Sequence, residues 1–124
     1  MENYHLGLFF DKDLNCNSPI VSYGHDIEAA WLIDEAAQEL GDKVVIEKVL
    51  KIIHKVTDEA NRGLIGTGSG YIHELNSKTG EIDAHREWWP QCEAIIGNVN
   101  AFQRFGDKKY LDKAIDVWEF VKNL

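Results

Sequence analysis

The chain has 124 residues, 44% of them apolar and 27% charged, with a net charge of −8. That is the size and balance of one soluble domain, one that buries about two-thirds of its unfolded surface. The acidity argues against a nucleic-acid partner, which needs clustered Lys and Arg, and no apolar run is long enough for a membrane span.

The first segment, MENYHLGLFFDKD, lacks the basic start of a signal peptide, and Asp11 soon interrupts its apolar run, so a cytoplasmic location is expected. Residues 1–24 read as an extended or hairpin lead-in: HLGLFF as a short strand, DKDLNCNSP as a polar turn, then an extended return through Ile20 and Val21. Residues 25–59 read as a helical hairpin. Its first helix, from about Asp26 to Leu40, is apolar on nearly every side and ends at Gly41. Its second, Lys43 to about Asp58, carries Val45, Val49, Ile52, Ile53 and Val56 on one stripe, opposite Lys48, Lys51 and Lys55. Residues 60–87 are rich in Gly, Ser and Asn and read as a long loop holding a small hairpin around Tyr71 to Ile82. Residues 88–124 read as a second helical hairpin. Its helices run from about Trp89 to Phe105, with Pro90 in the first turn, and from Lys108 to Lys122, with Leu111, Ala114, Ile115, Trp118 and Val121 inward. Cys16 and Cys92 lie in unrelated contexts and read as free thiols. No CxxC or HExxH spacing suggests a metal site.

A repeat underlies the two hairpins. Gly41-Asp42-Lys43 recurs as Gly106-Asp107-Lys108, and at the same offset Glu28-Ala29 matches Glu93-Ala94, Gln38 matches Gln103 and Lys48 matches Lys113. Repeated helical hairpins stack side by side, each burying its neighbour's face. Curled into a ring, they give an inner layer of buried helices and an outer layer facing water, which accounts for the apolar first helix.

In such a ring the inner helices start at one rim. His25, Asp26 and Glu28 gather there from one unit, and Glu87, Trp88, Trp89, Gln91 and Glu93 from the next. This is a set a sugar site uses: aromatic faces stack on a pyranose, carboxylates and amides bind hydroxyls, and a histidine takes and returns a proton. A helix N-terminus favours the neutral, base-competent imidazole. Each residue also has a plainer reading. Asp26 reads first as an N-cap, and Glu28 and Glu93 fit first-turn acids complementing the dipole as well as substrate ligands. One of Trp88 and Trp89 reads as packing. His25, on spacing alone, fits a structural role as readily as a catalytic one. His54 reads as solvent-exposed beside the lysine face. His5, His73 and His85 receive no role, and Arg86 reads as a partner for a hydroxyl or a carboxylate.

YGHDIEAAWLIDEAA and REWWPQCEAIIGNVNAFQRFGD, preceded in order by HLGLFFDKDLN, resemble the N-acylglucosamine 2-epimerase family, which includes cellobiose 2-epimerases and related aldose–ketose isomerases. The resemblance runs over almost the whole chain. It implies a mainly α fold, two stacked helical hairpins forming part of an (α/α)6 barrel, with short β-hairpin segments. It implies that His25 is a general acid/base at C2 of an open-chain sugar, that Glu28 and Glu93 face the sugar, and that Trp89 and Trp88 line the cleft. The implied reaction opens the ring, removes the C2 proton and reprotonates on the opposite face. No metal or other cofactor is implied.

The family's barrel has twelve helices and this chain supplies about four. By the resemblance, a second catalytic histidine lies beyond Leu124 and a cleft arginine before Met1. Two hairpins leave apolar flanks open, so self-association, by default a dimer, or docking with the missing portion of the barrel is expected. Two further functions stand beside the epimerase: a non-catalytic carbohydrate-binding remnant, and a helical interaction module.

Overall fold

The structure is a computed structural model describing residues 3–124. Four helices carry it: α1 (Tyr23–Leu40), α2 (Lys43–Ala60), α3 (Trp88–Phe105) and α4 (Lys108–Lys122). Three short strands accompany them: β1 (Ile20–Ser22), β2 (Glu74–Asn76) and β3 (Ile82–Asp83). The repeat seen in the sequence is a repeat of structure. Gly41 and Gly106 close α1 and α3 in the left-handed region, at φ 72° and 70°, and donate their N–H groups to Ala37 and Phe102. A glycine adopts that conformation without the strain a side chain would add. Asp42 and Asp107 then cap α2 and α4 by accepting backbone N–H bonds in the first turn.

The helices pair as α1 with α2 and α3 with α4, and the two pairs meet through α1 and α3. At Gly97 the two helices run close together, so that a β-carbon there would overlap the side chain of the fully buried Ile27. Only the absence of a side chain at Gly97 lets the two inner helices close on each other. One apolar cluster joins Val21, Tyr23, Ile27, Tyr71, Ile72 and Ala94 around this seam. A second joins Ala30, Ile53 and Val56 between α1 and α2.

Three expectations from the sequence need correction. HLGLFF forms no strand: the lead-in does turn back, but only through an isolated antiparallel bridge between Phe10 and Cys16, and it is β1 that enters a sheet, antiparallel with β2, Ser22 opposite Glu74. The expected hairpin is present as β2–β3, so the sheet runs β1-β2-β3. Secondly, α1 is buried along one side only. Leu32 and Ile33 are about half exposed, because α2 and α3 cover just the face carrying Ile27, Ala30, Asp34 and Ala37. Thirdly, the buried stripe of α4 is Tyr110, Ala114 and Val117, leaving Ile115 and Trp118 half exposed.

Buried polar groups tie the layers together. Asp34 is fully buried on α1 and accepts hydrogen bonds from Arg104 Nε at 2.6 Å, Asn100 Nδ2 at 2.9 Å and Gln38 Nε2 at 3.1 Å. Burial alone pushes its carboxyl up, but these donors outweigh it and hold it below the usual aspartate range. A carboxyl lowered on folding contributes stability that is complete above its unfolded pKa and is lost as pH falls through its folded one. Arg104→Ala should therefore cost about 2 kcal/mol near neutral pH, a figure reduced because Arg104 is over a third exposed. The difference from the unsubstituted chain should shrink as pH falls below about 4. Urea titrations across pH test this, and a pH-independent gap would refute it.

Candidate active site

His25 is the third residue of α1, and its imidazole is exposed. Ser22, just before the helix, is 2% exposed, and its Oγ lies 2.8 Å from His25 Nδ1. The ring is thus anchored through one nitrogen, and Nε2 has no hydrogen-bond partner among the described residues. Trp89 packs edge-on against the imidazole, with ring centroids 4.8 Å apart and planes at 63°. Trp89 can sit there because Gly24 leaves it room; a β-carbon on Gly24 would fall 2.7 Å from Trp89 Cη2. The starts of α1 and α3 are therefore locked together at the residues that carry the chemistry.

Glu28 follows one turn after His25 and Trp31 one turn after Glu28, placing all three along one side of α1. Glu28 is half-buried. Trp31 donates its indole N–H to Glu93 Oε2 at 2.8 Å, so Glu93 is aimed by a residue of the neighbouring inner helix. Below this pair, Trp31, Glu35, Ile96 and Arg104 help line a groove of about 490 Å³ between α1 and α3. The structure thus brings His25 and Trp89 into contact, sets Glu28 one turn below His25, and joins Glu93 to α1 through Trp31. Trp88 stands apart, 75% exposed on the rim. Trp31 was not singled out from the sequence, although its spacing of three from Glu28 was a signal that it shares that face.

Asp26 is not the N-cap. It is the fourth residue of α1 and 1% exposed, and its carboxylate bonds the Leu6 N–H at 2.8 Å and His5 Nδ1 at 2.6 Å. Its repeat counterpart Gln91, at the same place in α3, bonds both the N–H and the C=O of Tyr71. Both residues use a buried polar group to clip the segment that lies over the helix start, so neither is available to a ligand. Arg86 donates to the Ser69 and Ala84 carbonyls and pairs with no carboxylate among the described residues. His54 is exposed, its ring 4.5 Å from that of Phe105. Cys16 and Cys92 are both free. Among the described residues no cluster of His, Cys, Asp and Glu suits a metal ion, and no helix is long and apolar enough to cross a membrane.

The profile of the family described as N-acylglucosamine 2-epimerase (GlcNAc 2-epimerase) matches residues 2–124. A cellobiose 2-epimerase of Bacteroides fragilis is 48% identical over 118 residues, covering 95% of this chain and 30% of that protein. One of Ruminococcus albus is 44% identical, covering 94% of this chain and 29% of the relative. Among solved structures, a sugar epimerase from a ruminal bacterium superposes with a TM-score of 0.88 at 38% identity, over 97% of this chain and 30% of the other. The cellobiose 2-epimerase of Spirochaeta thermophila gives 0.87 at 38%, with the same coverage. This chain spans about 30% of the length of the curated relatives it matches. Its fold is mainly α, two stacked helical hairpins as found in part of an (α/α)6 barrel, with a small sheet at one end.

Proposed function

The chain belongs to the N-acylglucosamine 2-epimerase family, and from that premise we propose that it carries one side of a sugar 2-epimerase site in which His25 moves the proton at C2. The observation that carries this reading is the His25 arrangement: Nδ1 fixed on Ser22, Nε2 without a hydrogen-bond partner among the described residues, and the exposed residue's ring held by Trp89. With the sugar ring open, the C1 aldehyde acidifies the C2–H bond. His25 Nε2 takes that proton, leaving an enediolate, and return of a proton to the opposite face gives the C2 epimer. Trp89 offers an aromatic face to the sugar, Trp88 extends that face at the rim, and Glu28 and Glu93 accept hydrogen bonds from its hydroxyls. The cellobiose 2-epimerases among the relatives make a β-linked glucose disaccharide the first substrate to try. The reaction as written moves protons only. It needs a second acid across the sugar from His25, which we assign to barrel helices outside this chain or to a second copy of it.

The test is proton NMR of cellobiose, mannose and N-acetylglucosamine incubated with the chain in D2O. Loss of the C2–H signal supports the reading, and an epimer appearing with it shows that the second acid is present. If C2–H stays intact in all three sugars, this chain does not catalyse the exchange.

A second reading is favoured by the half-exposed Leu32, Ile33, Ile96, Ile115 and Trp118, which lie on helices that a barrel would cover. In it the hairpins dock on further helices or on a second copy. Sedimentation of the chain at increasing concentration should then show association, weakened by Ile33→Glu or Trp118→Glu. A monomer at every concentration would remove self-association as the means of closing the site.

A further inference from the structure

Ser22 stands where an N-cap residue stands, in extended backbone just before α1, yet its side chain accepts no backbone N–H bond from the helix. Serine in that position usually caps. Here the hydroxyl lies against His25 Nδ1 instead, at 2.8 Å, on a residue only 2% exposed. Its backbone is held by the β1–β2 pairing, Ser22 opposite Glu74, so the oxygen is placed by the sheet and not by the helix it precedes.

Building on the reading of His25 as the C2 base, we infer that Ser22 is a positioning residue that holds the neutral imidazole in the Nδ1–H tautomer. A base needs a bare Nε2 lone pair, so the one ring proton has to sit on Nδ1, where it is donated to Ser22 Oγ. After Nε2 takes the C2 proton, Nδ1 still carries its hydrogen, so the same bond serves both states of the transfer. The helix N-terminus, positive in its partial charge, favours an oxygen there that presents its lone pairs. A hydroxyl is also neutral, so it selects the tautomer without adding the charge a carboxylate would bring. The opposite orientation, with Oγ donating to Nδ1, would put the proton on Nε2 and make His25 a donor to the sugar.

The experiment is long-range proton–nitrogen NMR of the uniformly 15N-labelled chain, with the His25 ring signals assigned by their disappearance in His25→Asn. With its ring neutral, His25 in the unsubstituted chain should carry its proton on Nδ1. Ser22→Ala should move it toward Nε2–H, the tautomer that an unconstrained histidine side chain prefers, and Ser22→Thr, which keeps the hydroxyl, should restore Nδ1–H. In C2 exchange, Ser22→Ala should be slower by about tenfold to a hundredfold, with Ser22→Thr near the unsubstituted rate. An Nε2–H tautomer in the unsubstituted chain, or a tautomer that Ser22→Ala leaves unmoved, overturns the inference. C2 exchange absent from every chain, with the tautomer following Ser22 as expected, sinks the role of His25 as base and leaves the tautomer assignment standing.

Discussion

C2–H exchange of cellobiose by the His25→Ala chain should fall about a thousandfold below that of the unsubstituted chain, within the range that a positioned general base contributes. The fall should appear in the chemical step. His25 is exposed and belongs to neither apolar cluster, so its replacement leaves the core intact. The melting temperature should fall only a little, because the substitution gives up one hydrogen bond to the buried Ser22 and one edge contact with Trp89, a loss of about 1 kcal/mol. His25→Asn serves as a second variant, keeping a polar group against Trp89 while removing the base. Sugar binding, read by tryptophan fluorescence, should survive in both variants, since Trp89, Glu28 and Glu93 remain. An exchange rate unchanged in either variant would show that another group removes the proton. Binding lost together with exchange would instead make His25 a ligand for the sugar or a support for Trp89.

What could be read from the sequence was whatever is local in the chain. The Gly-Asp-Lys punctuation marks a left-handed C-cap followed by an N-cap, and both repeats fold that way. The GHDIE turn and the EWWPQCE turn announced themselves because helix starts concentrate polar side chains within a few residues. Less legible was whatever depends on partners distant in the chain. Asp26 has the composition of a cap, and only the fold shows its carboxylate holding Leu6 and His5. Gln91 occupies the matching place in the second repeat and holds Tyr71, a correspondence visible in the alignment of the two units but not in its meaning. On α4 the apolar residues are spread widely enough for two stripes. The choice of Tyr110, Ala114 and Val117 depends on where α3 and the Tyr71 loop lie. The exposure of Leu32 and Ile33 is of the same kind, since a helix written for neighbours on several sides meets two of them here.

The largest expected effect on stability lies at Asn98, fully buried on α3. Its side chain exchanges two hydrogen bonds with Asn61, at 2.9 and 3.0 Å, and donates to the Ala94 carbonyl at 2.9 Å. Asn61 Oδ1 also accepts the Tyr71 hydroxyl at 2.6 Å, and burial drives that phenol's pKa upward, keeping it a donor. Asn98→Ala removes the partner of the buried Asn61 amide N–H and opens a small cavity. It should destabilise by about 3 kcal/mol, or roughly 10 °C in melting temperature. Tyr71→Phe removes one donor but leaves Asn61 Oδ1 bonded to Asn98, so no buried polar group is orphaned and the loss should be about 1 kcal/mol. The order of the two variants is the test. If Tyr71→Phe costs as much as Asn98→Ala, the Asn61–Asn98 exchange is not what holds this region. The network's position gives the order a functional consequence as well. Tyr71 leads into β2, β2 pairs with β1, and β1 ends at Ser22 against His25. An Asn98→Ala chain that remains folded should therefore loosen the hold on the imidazole while touching neither His25 nor Trp89. Its C2 exchange should fall, whereas that of Tyr71→Phe should stay close to the unsubstituted rate.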